Sequence, residues 1–171
     1  MTVLSWLVIF VYANEGDILN GVLALIGISC VHMATNLFDD YVDYKNLGDD
    51  CQKCKCAYIR EGKATIKDVL RVVITYFVIA AIIGLVLFLR CGFPVIILAF
   101  IGAFISLCYA KLSKFGFSEI AVGCAFGPLL FEGVYFVMTG EFSYEVLIMS
   151  LAVVSFTIGL MYTHTVLDYE G

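Results

Sequence analysis

The chain has 171 residues, 62% of them hydrophobic and 15% charged, with a mean hydropathy of +0.99. A soluble domain carries about 45–50% apolar and about 25% charged residues, and at this length it leaves about a third of its chain surface exposed, so lipid is the solvent this composition requires. A formal net charge of −5 without a basic stripe argues against a nucleic-acid partner.

A membrane-crossing helix needs about 20 mainly apolar residues. Met1–Ala13 is apolar but too short to cross unaided, and reads as the second half of a helix. It lacks the basic n-region and small-residue cleavage site of a signal peptide. Full spans are expected over Ile18–Phe38, Ile66–Leu89, Phe93–Leu112, Ile120–Met138 and Val146–Leu167. The fold expected is an all-α, polytopic membrane helix bundle forming a single domain over 1–171, with six helices, the first truncated. Gly84, Gly102, Ala103, Gly123, Gly127 and Gly159 are small residues that let such helices approach closely.

Three connections are short: Asn14–Asp17, Arg90–Gly92 and Thr139–Ser143. Asp39–Thr65 is long and polar, and Lys111–Ser118 carries two lysines. Nine of the ten Lys and Arg residues flank the ends of helices two and four, and only Arg90 lies on the other side. The positive-inside rule then puts those two loops, the end of helix six and the N-terminus in the cytoplasm. Of seven cysteines, Cys30, Cys91, Cys108 and Cys124 fall in apolar runs and read as small core residues. Cys51, Cys54 and Cys56 form CQKCKC, which lacks the second ligand pair usual for zinc and reads as reduced loop thiols.

The run ATNLFDDYVDY closes helix two. Asn36, Asp40 and Asp43 are spaced four and three apart, and Asp39 lies at the edge of the same stripe. On a helix this spacing gathers them on one face. Carboxylates so close repel unless a cation lies between them, and charge at the end of a membrane helix is a functional candidate by default. Magnesium suits oxygen donors and commonly bridges one or two carboxylates to substrate phosphates. The alternative is a solvated helix end whose acids face the cytosol.

Helix six ends in YTHTVLDYEG, where His164 and Asp168 are four apart. Asp168 lies at the same membrane side as Asp40 and Asp43, which suggests a shared pocket with a second cation. His164 reads equally as an interfacial histidine. Helix four ends in CYAKLSKFGFSE, placing Tyr109, Lys111 and Lys114 on that side. A lysine there can neutralise a phosphate or serve only as a topology signal. Arg60 and Lys63, in YIREGKAT, are further phosphate contacts to consider.

Taken together these stretches resemble the UbiA superfamily of aromatic prenyltransferases. NLFDDYVDY is similar to the NxxNDYxDY motif of the MenA-type branch, with Asn36, Asp40 and Asp43 matching and Asp39 in place of the usual asparagine. The last aspartate of the family's longer motif falls on Leu47, which cannot bind metal. YIREGKATIKDVL resembles the family's loop before helix three. GFSEIAVGCAFGPLLFEGVYFV resembles the MenA-type segment G-x-G-E…FGP…G-x-Y through Gly116, Glu119, Phe126, Gly127, Pro128 and Gly133. Asp168 matches the first aspartate of the family's second motif, DxxxD, whose partner would fall one residue past Gly171.

The resemblance implies about six of the family's nine helices, in a domain incomplete at both ends. It implies Mg²⁺-dependent transfer of a polyprenyl group from prenyl diphosphate to an aromatic acceptor, 1,4-dihydroxy-2-naphthoate in menaquinone biosynthesis, at a cytoplasm-facing site of the cell (inner) membrane. Asn36, Asp39, Asp40, Asp43, Asp168 and His164 would serve the metals, with Asp40, Asp43 and Asp168 carrying catalysis. Asn36, Tyr109, Lys111, Lys114 and Arg60 would contact the diphosphate. Other acceptors (4-hydroxybenzoate or haem) and an inactive fragment stay open. A divalent-cation transporter is a further alternative; it would carry ionisable residues near mid-helix, where Glu132 is the main one seen.

Overall fold

A computed structural model describes residues 2–14, 16–47, 59, 61–114 and 117–170. The described chain is all helical, in this order: α1 Thr2–Tyr12, α2 Ile18–Leu47, α3 Ile66–Cys91, α4 Pro94–Lys114, α5 Ser118–Cys124, a π turn Ala125–Leu129, α6 Leu130–Thr139 and α7 Tyr144–Glu170. CQKCKC lies outside the described residues.

Local chemistry sets most of the boundaries. Thr65 caps α3 by accepting from the Asp68 N–H, while the Asp68 carboxylate accepts from the Thr65 N–H, satisfying two of the donors a helix start leaves open. Gly92 (φ 87°) ends α3 and Gly140 (φ 82°) ends α6, both in a backbone region that glycine enters without a Cβ penalty. Pro94 opens α4, where its missing N–H costs nothing.

Among the described residues, four helices are long and apolar enough to cross a membrane: Ile18–Val42, Ile66–Cys91, Glu119–Thr139 and Tyr144–Thr163. α4 has 21 residues, about 32 Å of helix against a hydrocarbon core of about 30 Å. Its apolar part among the described residues is Pro94–Ser106. α1, with 11 residues, spans only about 16 Å. Successive long helices are antiparallel. Gly27 meets Ile83 and, further along, Leu37 and Tyr41 pack with Val69 and Val73; Leu98 faces Gly133 and Leu129 faces Gly102; Gly127 meets Ser150 and Val154. The C-terminal ends of α2, α4 and α7 therefore share one end of the bundle, opposite Arg90.

The bundle is packed for lipid. Leu89, Phe100, Phe104 and Phe156 are exposed on its outside, whereas Ser5, Asn20, Ser150 and Thr157 are buried. α6 is the central element, with Leu130, Phe131, Val134, Phe136, Val137 and Met138 buried. They pack against Trp6, Ile9 and Ala13 of α1, Ala24, Leu87, Val95 and Val146. Trp6 Nε1 donates to the Gly21 carbonyl at 2.7 Å, and the Asp17 N–H donates to the Met138 carbonyl at 2.8 Å. Of the four cysteines expected in the core, Cys30 is buried, Cys91 and Cys108 are half-buried, and Cys124 is exposed.

One polar clasp closes the Arg90 end. Asn20 is buried; it donates to the Val137 carbonyl at 2.8 Å and accepts from Arg90 Nε at 2.5 Å, while Arg90 Nη2 donates to Asp17 at 2.8 Å. One asparagine thus joins α2, α3 and α6. Asn20→Ala is expected to destabilise the bundle by about 1–3 kcal/mol, because it leaves buried groups without partners; thermal unfolding in detergent measures it. The Asn20 N–H, and then Arg90, hold the Asp17 carboxyl below its ordinary value. A lowered folded value means that this contribution is complete above the unfolded carboxyl value of about 3.9. It fades as pH falls through the folded value, so stability read between neutral pH and pH 5 is expected to be flat with respect to this group.

Candidate functional site

The carboxylate stripe rests on the length of α2. The apolar span was expected to end at Phe38, with ATNLFDDYVDY closing the helix; α2 runs on to Leu47. No Gly or Pro interrupts DDYVDYKNL, and Leu37, Phe38, Tyr41 and Tyr44 pack on Ile59, Val69, Val73 and Phe77. This second apolar cluster holds the extra turns against α3. Thirty residues make about 45 Å of helix, so the last turns reach beyond the hydrocarbon. At about 100° per residue, positions 36, 40 and 43 fall within an arc of about 60°, next to the 37–41–44 stripe that α3 covers. Asn36 is exposed; Asp39 and Asp40 are half-buried, and each is engaged with a partner. Asp43 belongs to the same helix, and its side chain lies outside the described residues.

The remaining expected residues divide by helix. Tyr109, Lys111 and Lys114 lie in the last turns of α4, and His164 and Asp168 in the last turns of α7. Both helices end where α2 ends. The side chains of these five residues lie outside the described set, as does Arg60 altogether. Lys63 is exposed and paired with Glu61 at 2.5 Å. Glu132, expected as a polar residue buried in the bundle, is half-buried and accepts from the Ser143 N–H at 3.2 Å. It serves the start of α7 at the Arg90 end, because the short α6–α7 turn brings that N–H back over it.

His32 is a further ionisable residue on this face of α2, one that motif reading did not single out. It lies one helical turn before Asn36, so positions 32, 36 and 40 repeat every four residues along one face of α2. An ionisable side chain in mid-span was the available signal. His32 Nδ1 lies 3.2 Å from Thr2 Oγ1 of α1, and the His32 ring centroid is 5.2 Å from that of Phe126. Thr2, Val3, Ser29, His32 and Met33 line an open cleft of about 250 Å³.

Phe126 owes its position to a defect in the α5–α6 rod. Pro128 has no N–H to give, Gly127 adopts φ −88°, ψ −105°, and the Leu130 N–H reaches back to the Ala125 carbonyl. This five-residue bond is a π turn, a feature frequent at functional sites. α7 packs tightly against it: a Cβ on Gly127 would lie 2.6 Å from Val154 Cγ2 and 2.9 Å from the Ser150 carbonyl oxygen.

The donors on the α2 stripe are all oxygens, the chemistry preferred by a hard divalent cation. Among the described residues, no group of three or more His, Cys, Asp or Glu converges to hold a metal ion; Asp43, His164 and Asp168 fall outside that set. The amide and carboxylates on one helical stripe fit one side of a cation shell that substrate phosphate oxygens would complete. A family model described as the UbiA prenyltransferase family matches residues 1–171. No curated protein and no solved structure matches the chain.

Proposed function

The chain belongs to the UbiA prenyltransferase family, and on that footing we propose that it is a MenA-type enzyme, transferring a polyprenyl group from its diphosphate to 1,4-dihydroxy-2-naphthoate. The observation that carries this reading is the unbroken α2, which sets Asn36, Asp40 and Asp43 on one stripe at the end of the bundle where α4 and α7 also end. NLFDDYVDY and the FGP segment favour the naphthoate over hydroxybenzoate or haem. Family membership replaces the cation-transporter reading.

Asn36, Asp40 and Asp43 would hold one Mg²⁺, with Asp39 beside them. Asp168, with His164, would serve a second. When bound, Mg²⁺ would supply Lewis acidity towards the diphosphate. Lys111 and Lys114 add positive charge, and Tyr109 and Arg60 add hydrogen-bond donors, aimed at the oxygens where negative charge develops. The allylic carbon leaves the diphosphate and bonds to the electron-rich ring carbon of the acceptor, whose proton is then lost. The apolar walls of the bundle take the polyprenyl tail and keep water from the reacting carbon. The acidic helix ends face the cytoplasm of a cell (inner) membrane, on the side that holds nine of the ten basic residues.

Membranes carrying the chain, given radiolabelled prenyl diphosphate, are expected to label 1,4-dihydroxy-2-naphthoate in preference to 4-hydroxybenzoate or haem. A chelator is expected to abolish labelling and added Mg²⁺ to restore it. Preference for another acceptor would overturn the naphthoate assignment, and chelator-resistant transfer would overturn the metal role.

A further inference from the structure

The outer face of α3 takes no part in the proposed chemistry, and it joins two kinds of surface on one stripe. At about 100° per residue, positions 67, 71, 74, 78, 82 and 85 fall within an arc of about 80°. Lys67 and Arg71 stand at its start, one turn apart, at the end of the bundle opposite Arg90. Further along, Ile74, Val78, Ile82 and Leu85 are all exposed. Val69 and Val73, the buried residues that grip α2, lie about 180–220° round the helix from the middle of this stripe. The two cations therefore face away from α2 and its carboxylates.

Local bonding leaves both charges outward. Asp68, the acid between them, is turned into the helix cap: its carboxylate accepts from the Thr65 N–H at 3.1 Å and from the Thr65 hydroxyl at 2.5 Å. Arg71 reaches it through Nη1 alone, at 3.2 Å, and the Arg71 side chain is still 78% exposed, so most of its five N–H donors stay open. Lys67 is exposed and makes no ion pair among the described residues. An inorganic anion would use the cations and leave the apolar stripe bare, and a hydrocarbon chain would do the reverse. An anionic phospholipid uses both. From position 67 to position 82 the helix rises about 22 Å, the depth of one leaflet with its headgroups. We infer that the outer face of α3 holds an anionic phospholipid, its phosphate between Lys67 and Arg71 and an acyl chain along Ile74, Val78 and Ile82. On the proposed orientation this end lies in the cytoplasmic leaflet, where anionic lipids concentrate. The inference does not rest on the prenyl-transfer reading. It braces the bundle from outside, because the first turns of α3 support the end of α2 on their other face.

Local fluorescence quenching in vesicles of the full chain tests this. In a background with the native cysteines replaced, Ile74→Cys carries a thiol-reactive fluorophore, and phosphatidylcholine vesicles are titrated with dibrominated phosphatidylglycerol or dibrominated phosphatidylcholine. Phosphatidylglycerol is expected to quench at about 10-fold lower mole fraction than phosphatidylcholine. Each of Lys67→Gln and Arg71→Gln is expected to cut that preference about five-fold, the effect of one basic residue at an anionic surface, and the double variant to abolish it. Lys67→Arg, which keeps the charge, is expected to keep the preference. Phe156→Cys is the control: that position is exposed on α7, a helix without lysine or arginine, and there the two lipids are expected to quench alike.

Equal quenching by the two lipids at position 74 overturns the inference, as does a preference that persists in the double variant. A preference of the same size at position 156 also overturns it, since the selectivity would then belong to the whole surface. Quenching by neither lipid at position 74 overturns it as well, because polypeptide and not lipid would cover this face.

Discussion

Replacing Asp40 or Asp43 with alanine is expected to lower the rate of prenyl transfer at least about 100-fold. Loss of a group that merely orients a metal ligand commonly costs about 10- to 100-fold in affinity or activity, and loss of the ligand itself exceeds that. The effect should be specific in kind. The variants should need more Mg²⁺ and bind prenyl diphosphate more weakly, while thermal stability stays near that of wild type. The apolar positions that hold the end of α2, Leu37, Tyr41 and Tyr44, belong to the neighbouring stripe and are untouched. Steady-state transfer assays across a Mg²⁺ series measure this. Near wild-type turnover in either variant would remove that residue from the metal site.

Gly127→Ala carries the second large effect, for a steric reason. The added methyl would sit 2.6 Å from Val154 Cγ2 and 2.9 Å from the Ser150 carbonyl oxygen. A side chain can turn away, but the backbone oxygen of a packed helix moves only with the helix. Overpacking of this kind costs about 1–3 kcal/mol. Gly127→Val, with two further methyls, is expected to cost more. A fall in the thermal midpoint in detergent, larger for valine than for alanine, is the expected readout. Gly84 gives the control, since a Cβ there meets nothing within 4 Å; Gly84→Ala is expected to hold the midpoint or raise it slightly, because alanine favours a helix interior over glycine. Equal midpoints for Gly127→Ala and Gly84→Ala would show that α7 does not pack on the π turn as closely as described.

The sequence shows the helices and their order clearly, because a lipid-facing helix must be apolar over its whole crossing. The starts at Ile18 and Ile66 fall where expected. Hydropathy misjudges the end of α2, because the polar turns after Phe38 are held by aromatic packing on α3, and that packing depends on residues about thirty positions away. It also passes over the π turn: AFGPL keeps the apolar composition of a plain span, and only the Gly127–Pro128 pair hints at a break.

The carboxylate stripe was legible for a related reason. Spacing of four and three encodes a shared face once the segment is helical, and α2 is helical through all of it. The surroundings of His32 were not legible, because two of its neighbours come from elsewhere in the chain: Thr2 from α1 and Phe126 from the π turn. Neither residue type signals a site by itself, and only the packing of α1 and the α5–α6 rod against α2 brings them to the imidazole.

Thiol-accessibility mapping gives the most direct test of the central claim, that acids from separate helices meet at one membrane face. In a background with all seven native cysteines replaced, single cysteines would be placed at Asp43, Asp168 and Arg90 and probed with a membrane-impermeant maleimide in vesicles of each orientation. Labelling of positions 43 and 168 from the same, cytoplasmic side, with position 90 labelled from the other, is the predicted result. Labelling of 43 and 168 from opposite sides would contradict it.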